Sequence, residues 1–471
     1  MPACSTAASF VRAWRPAMST RLPPLLLIGL TLAACAGCAT AASKRDAWVV
    51  QQIHDYNHPY AAQQTELDTK MATMATSAYA FYRGTDHIFY QDMKTLPGSL
   101  WTSPQTGYTW LGGDTHLGNF DAARDSSGKA VFKVADFDEG HLGQYVWDLR
   151  RLAASMVLTG RDNGLSDSDI GDAIDTMVGA YLDKIADFRG SDAEASFQLS
   201  KRNTSGAVAK IIDSADGKSR SSLLSKYTMV NGGKRQFQDL DNLVAVDANT
   251  ASAVAAAMNG YLGSIAASKR YASGYYTIKD VHQKLGSGTG SLGRLRLYVL
   301  IEGPSASTSD DVILEWKQDA ASVVAVAAPS QMPASSYDNN EGARVARTAK
   351  AQTIDADVLV GYASVNGTPF YVHEKSPFQQ DLDPTTLDSA GKLATAATYL
   401  GQALASAHAL ADQDYDANVV PYSIDKQIDQ AVTSKSGLTS ELRQFAFDYA
   451  AQVQLDWQSF AAAYKAGTPL Y

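Results

Sequence analysis

The chain has 471 residues, 45% hydrophobic and 19% charged, a composition that excludes a disordered, collagenous or multi-span membrane protein. Lys plus Arg number 40 against 49 Asp plus Glu, a formal charge of -9, which argues against a surface built to neutralise phosphate backbones, so no nucleic acid is expected as a partner. The three cysteines are Cys4, Cys35 and Cys38; from Ala39 onward the chain has no disulfide, thiolate ligand or cysteine nucleophile.

Residues 1–34 carry Arg12, Arg15 and Arg21, no acid, and the apolar run from Leu25 to Ala34, the pattern of a secretory signal too short for a confident membrane span. Leu32-Ala33-Ala34-Cys35 resembles a bacterial lipobox, with Cys35 as the lipidated residue. Cleavage later, around Ala39 to Ala42, would give a soluble exported protein, and Met18 is an alternative start. Loss of residues 1–34 removes three positive charges and takes the balance from -9 to -12. The expected location is the periplasmic face of a bacterial membrane, or the soluble periplasm, with membrane contact only through an N-terminal lipid.

From Asp46 to about Asp92 apolar positions recur at three and four, as in Leu67, Met71, Met74, Ala78 and Phe81, which predicts an amphipathic helix. Trp110-Leu-Gly-Gly-Asp114 and the alternating Val131 to Asp136 predict two short strands around a turn-rich Asp121 to Lys129. Helical pattern resumes at Trp147 and dominates to about Lys269, broken by a polar surface excursion from Leu199 to Arg235. Tyr275 to Leu285, Arg294 to Glu302 and Val312 to Lys317 predict an antiparallel meander; a helix over Glu341 to Gln352 and a hairpin around Asn366-Gly367 follow. The tail from Leu387 is helical. The class is α+β with the sheet in the middle of the chain, divided into a signal over 1–34, a helical part over 35–270, a β-rich part over 271–375 and a second helical part over 376–471, expected as a monomer.

Three motifs carry chemistry. In Gly113-Asp114-Thr-His116-Leu-Gly-Asn119 an aspartate precedes an asparagine by five residues on a short loop, as phosphoryl transfer to a hydroxyl requires: Asp114 accepts the proton, Asn119 holds a metal, and His116 braces the loop. A polar turn bonding its own backbone is the plainer reading. In Asp136-Phe-Asp138-Glu139 the crowded carboxylates call for a cation, with Asp136 and Asp138 as metal ligands, against the alternative of a solvated acidic turn. The third is Gly286-Ser-Gly288-Thr-Gly290-Ser-Leu-Gly293. Strand sequence follows it where a dinucleotide fold needs a helix, so it predicts a hairpin offering backbone N–H groups to phosphates. Lys317 on the next strand would pair nucleotide phosphates, with Glu341 as its carboxylate partner. A zinc site on His54 and His58 lacks an adjoining glutamate base.

Together these strings resemble a protein-kinase-like phosphotransferase of the aminoglycoside and choline kinase group. Asp148 in Tyr145-Val-Trp-Asp-Leu-Arg-Arg matches the residue that steadies the catalytic loop in such kinases, and Leu400 to His408 resembles the helix after the hinge. The Gly-rich loop and lysine follow the catalytic loop here, so the resemblance implies a circularly permuted order. Phe81-Tyr-Arg-Gly84, Gly113 to Phe120, Asp136 to Glu139, Trp147 to Ser155 and Gly288 to Gly293 resemble a bacterial family of unknown function, DUF2252, from about Met71 to Asp414. Arg83 belongs to that pattern and reads as an arginine bonding helix-end carbonyls, or else as a phosphate contact. The resemblance implies Mg2+, ATP or another nucleotide, and an unidentified hydroxyl acceptor, with a small-molecule or nucleotide ligand as the partner. An exported location is poor in ATP, so the alternative is a pseudokinase-like envelope protein that binds a ligand without phosphotransfer.

Overall fold

The computed structural model describes residues 43–471; the expected signal, its cleavage sites and Cys35 lie outside the described residues. The predicted α+β class holds, with an antiparallel sheet in the middle of the chain. Among the described residues no helix is long and apolar enough to cross a membrane.

The stretch predicted as one helix from Asp46 to Asp92 is four: α1 over 43–57, α2 (Gln64–Met74), α3 (Ala78–Gly84) and α4 (Asp86–Thr95). Pro59 lies in a 3-10 turn that separates the first two, and Ser77 starts α3 by accepting the Ala80 N–H. Asp121 is in no turn. β1 (Thr109–Leu111) is followed by β2 (Phe120–Arg124) and β3 (Ala130–Val134), which pair as a hairpin, and β4 (His141–Gly143) returns to β1. Burial along β2 explains the misreading: Ala122 and Ala123 are small and buried on both faces, which hides the alternation.

Helices α5 (Tyr145–Asp162) and α6 (Asp167–Phe188) follow. The expected excursion from Leu199 to Arg235 is ordered instead into α7 (Gly206–Gly217), α8 (Arg220–Tyr227) and the hairpin β5 (Thr228–Asn231) with β6 (Lys234–Phe237). Val208, Ile212 and Ala215 recur at four and three and bury α7 beside β2 and β3. The sheet then begins earlier than residue 271. β7 (Leu243–Ala245), β8 (Ile278–Lys284), β9 (Arg296–Ile301), β10 (Val312–Gln318), β11 (Gly361–Val365) and β12 (Thr368–Glu374) form six antiparallel strands in the order β11-β12-β10-β9-β8-β7. α9 (Ala248–Ser264) packs against the sheet through Val254, Met258 and Tyr261, which share a core with Val299, Leu314 and Trp316. Asn366 and Gly367, with φ of 52° and 83°, make the two-residue turn expected between β11 and β12.

α10 (Glu341–Ala351) is capped by Asn340, whose side chain accepts the Ala343 N–H. After β12 the chain adds β13 (Gln379–Asp381) to the edge of β2, then builds α11 (Ala390–Leu410), α12 (Ile424–Ala431) and α13 (Lys435–Lys465). One large core joins α5, α6, α11 and α13 and reaches β2 and β3. The sheet therefore faces a helical body whose own small hairpin stands at the junction.

Candidate active site

Strand alternation decides what β10 offers to that junction. Val312, Leu314 and Trp316 enter the core shared with α9, so Glu315 and Lys317 point to the opposite face. Their neighbours across the sheet are Tyr298 and His373 for Glu315, and Arg296 and Tyr371 for Lys317. Arg296 Nη1 donates to Glu315 Oε1 at 2.7 Å, and His373 Nε2 lies 3.2 Å from Oε2. Glu315 is thus held on the sheet. Lys317 reaches the helical body instead, donating to Asp136 Oδ1 at 3.0 Å and Asp138 Oδ1 at 2.6 Å.

Asp136 and Asp138 follow β3 in a turn where Asp136 takes a left-handed φ of 60°, a conformation that aspartate tolerates better than most side chains. Burial pushes Asp136 up, but Lys317, joined by a hydrogen bond with Asp138 and by the Arg296 charge, outweighs it and holds the carboxyl well below its ordinary range. Burial and the adjacent Asp136 charge raise Asp138, against Lys317. Burial opposes the charge on Lys317, and the two carboxylates overcome it, so the ammonium is retained.

The loop after β1 is built from behind. Asp148, fully buried on α5, accepts the N–H groups of Gly112 at 2.8 Å and Gly113 at 3.1 Å, and His408 Nε2 lies 3.2 Å from Oδ2. The Gly113 carbonyl accepts the Tyr90 hydroxyl at 2.6 Å. Gly113 has φ of 82°, and a Cβ there would stand 2.2 Å from the Glu139 carbonyl oxygen, so only glycine lets this loop lie against the acidic turn. Asp114 Oδ1 accepts Arg151 Nε at 2.6 Å, and Asn119 Nδ2 donates to the Asp114 carbonyl at 2.7 Å. Burial, with Asp86 and Asp136 nearby, pushes the Asp114 carboxyl well up against the pull of Arg151. His116 is kept neutral by burial and by Arg83 and Arg151. Its Nδ1 lies 3.1 Å from the Gly118 nitrogen, and its Nε2 faces both Arg83 Nε at 3.4 Å and Asp114 Oδ2 at 3.6 Å.

The Gly286 to Gly293 segment joins β8 to β9 as a hairpin loop. It is tied to α2: Gly286 N–H donates to Glu66, and Lys70 Nζ donates to the Gly290 carbonyl at 2.8 Å. Gly293, at φ of 99°, leaves room for Leu67, whose Cδ2 would be 2.8 Å from a Cβ. The loop roofs a narrow space lined by Asp114, His116, Asn119, Asp136 and Asp138, which adjoins a cleft of about 670 Å³ lined by Arg296, Lys317, Tyr371 and His373.

Asp114, His116, Asn119, Asp136, Asp138, Gly288, Gly290 and Lys317 therefore gather around one cleft. Gly286 and Gly293 anchor the ends of the loop. Glu341 is a correction: its carboxylate is taken by Arg344 at 2.6 Å and by the Tyr337 hydroxyl, and the acids that meet Lys317 are Asp136 and Asp138. Of the two readings of Arg83 the helix-end carbonyl is corrected: its Nε lies 3.4 Å from His116 Nε2, and the residue lines the cleft. His54 and His58 stack on each other away from this cleft. Sequence reading missed Arg151, Lys70 and Glu66. Arg151 had a signal, standing three residues after Asp148 among Leu149, Leu152 and Ala153, where a charge needs a buried partner.

The model of a family described as an uncharacterized protein conserved in bacteria, DUF2252, matches residues 63–463. No curated protein and no solved structure matches the chain.

Proposed function

The chain belongs to this family of uncharacterized bacterial proteins, and from that premise we propose that it is a kinase-like phosphotransferase, moving a nucleotide γ-phosphoryl group to a hydroxyl acceptor. The observation that carries the reading is the meeting of three distant segments at one cleft: Asp114 with Asn119, Asp136 with Asp138, and the glycine hairpin with Lys317. The proposed fold is two-lobed and kinase-like with permuted order, the sheet supplying the phosphate loop and lysine after the base-bearing loop.

The donor set suits a hard divalent ion. Asn119 spends its amide nitrogen on Asp114, which turns its amide oxygen toward other partners, and Asp136 and Asp138 add carboxylate oxygens; an all-oxygen set is what Mg2+ takes. These three residues would hold the ion, which when bound neutralises charge on the transferring group. Asp114 would accept the acceptor hydroxyl proton on Oδ2, since Oδ1 is fixed by Arg151. Lys317 would exchange a carboxylate partner for a phosphate oxygen, and the hairpin backbone would orient the phosphates.

The alternative, an exported binding protein without turnover, draws on that same Arg151 contact, because a guanidinium at 2.6 Å already occupies one oxygen of the candidate base. Thermal melts of the purified protein with Mg2+ and ATP, or with other nucleotides, address binding: the parent melts higher with nucleotide and Asp136→Ala does not. A parent with no nucleotide-dependent shift ends the kinase reading. Asp114→Asn keeps the shift and loses turnover; turnover equal to the parent's removes Asp114 from its role.

A further inference from the structure

A second group of carboxylates stands apart from the cleft. Asp192 and Glu194 follow α6, and Asp414 lies in a one-turn helix, Gln413–Asp416, after α11; one ligand oxygen from each lies within 4.8 Å of the other two. Glu194 is 5% exposed, and its buried Oε2 has no hydrogen-bond partner. A buried carboxylate oxygen with nothing to bond is costly unless a proton or a cation completes it.

The surroundings favour the cation. The charged groups acting on Glu194 are Asp425, Asp412 and Asp192, all negative. Asp412 is itself buried and spends its oxygens on the backbone N–H groups of Asp414 and Ile424, while Asp425 is held by Ser423. The basic side chains nearby in the chain are engaged elsewhere, Lys184 by Asp187 and Arg189 by Asp429. Three carboxylates converge here, two exposed and one buried.

We propose that Asp192, Glu194 and Asp414 form a site for a hard divalent cation, Ca2+ in preference to Mg2+, that pins the segment after α6 to the short helix after α11. Three oxygen ligands at this spacing can share an ion with Ca–O distances of about 2.3–2.6 Å, and the two exposed residues leave room for the water that completes six to eight ligands. Binding would link parts of the chain 220 positions apart, counting from Glu194 to Asp414. None of the three residues lines the cleft.

The test is metal binding to the full chain without nucleotide, read as bound Ca2+ per chain by equilibrium dialysis and as the shift in melting temperature. In an Asp136→Asn background, which disables the cleft's metal set, Ca2+ still raises the melting temperature by several degrees. Adding Glu194→Gln removes that shift and lowers the bound ion by one per chain. Asp414→Asn, at an exposed position that tolerates the change, does the same. The proposal is overturned if the Asp136→Asn protein shows neither shift nor binding, as a simply protonated Glu194 would give, or if both survive Glu194→Gln and Asp414→Asn. Because nucleotide is absent and the cleft is disabled, failure here leaves the phosphotransferase reading untouched.

Discussion

Asp148 is wholly buried, yet its two oxygens take the N–H groups of Gly112 and Gly113 and the ring of His408, which is itself held by the Tyr181 hydroxyl at 2.8 Å. The candidate base stands one residue beyond those amides, so the carboxylate fixes Asp114 through the backbone. Asp148→Ala leaves three buried donors without an acceptor, and at about 1–3 kcal/mol for each such group the loss is about 3 kcal/mol or more. Urea denaturation checks this; Asp148→Asn, which keeps the volume and one acceptor, costs less. At this scale the sequence was informative where chemistry is local. Asp114, His116 and Asn119 sit within six residues, and Asp148 is legible from its resemblance to a loop-steadying residue. Arg151 meeting Asp114, or Lys317 meeting Asp138, depends on chain segments brought together only by the fold, and the expected pairing of Lys317 with Glu341 fails for that reason. Arg344, one helical turn on, claims Glu341 first.

Among the elements, α2 controls the glycine hairpin. Glu66 holds Gly286, and Lys70, buried to 1% exposure, holds the Gly290 carbonyl. Burial drives the Lys70 ammonium down to about 7 from 10.5, with Arg294 pushing the same way and Asp86 and Glu139 opposing. Between those two values the unfolded chain binds a proton that the folded chain does not, so this residue adds stability as pH rises through the window and loses it as pH falls toward 7. The slope is at most about 1.4 kcal/mol per pH unit. Urea midpoints from pH 7 to 9.5 should therefore rise in the parent relative to Lys70→Met, and parallel curves would remove Lys70 from this role. The elements themselves were unevenly legible. β10, α10 and the Asn366-Gly367 hairpin follow from alternation, capping and turn chemistry that are written locally. The region from Asp46 to about Asp92 reads as one helix because its apolar spacing continues across breaks set by Pro59 and Ser77. The stretch from 199 to 235 reads as an excursion because its polar surface hides the four-and-three spacing of Val208, Ile212 and Ala215.

Across the whole molecule, charged side chains tie the sheet to the helical body. Lys317 crosses to Asp136 and Asp138, Arg294 Nη2 lies 3.4 Å from Glu139 Oε1, and Arg344 donates to the carbonyls of Asp138, Gly140 and Ala320. The Lys317 contacts coincide with the proposed phosphate site, so stability and ligand binding draw on the same lysine. Lys317→Met leaves the buried Asp138 carboxylate beside Asp136 without its cation, and breaking such a pair from one side costs about 3–5 kcal/mol. Asp138→Asn removes the stranded charge, so the double variant should be more stable than the sum of the single losses, with a coupling of about 0.5–3 kcal/mol. A double-mutant cycle in urea measures it, and additivity within about 0.5 kcal/mol would show that Lys317 and Asp138 do not act on each other. Repeated with Mg2+ and ATP, the cycle also separates the lysine's two duties. Because Asp138→Asn also removes a proposed metal ligand, the double variant is compared with Asp138→Asn alone. If Lys317 serves phosphates, the double variant loses whatever nucleotide-dependent shift Asp138→Asn keeps, whereas a purely structural lysine leaves the two shifts equal.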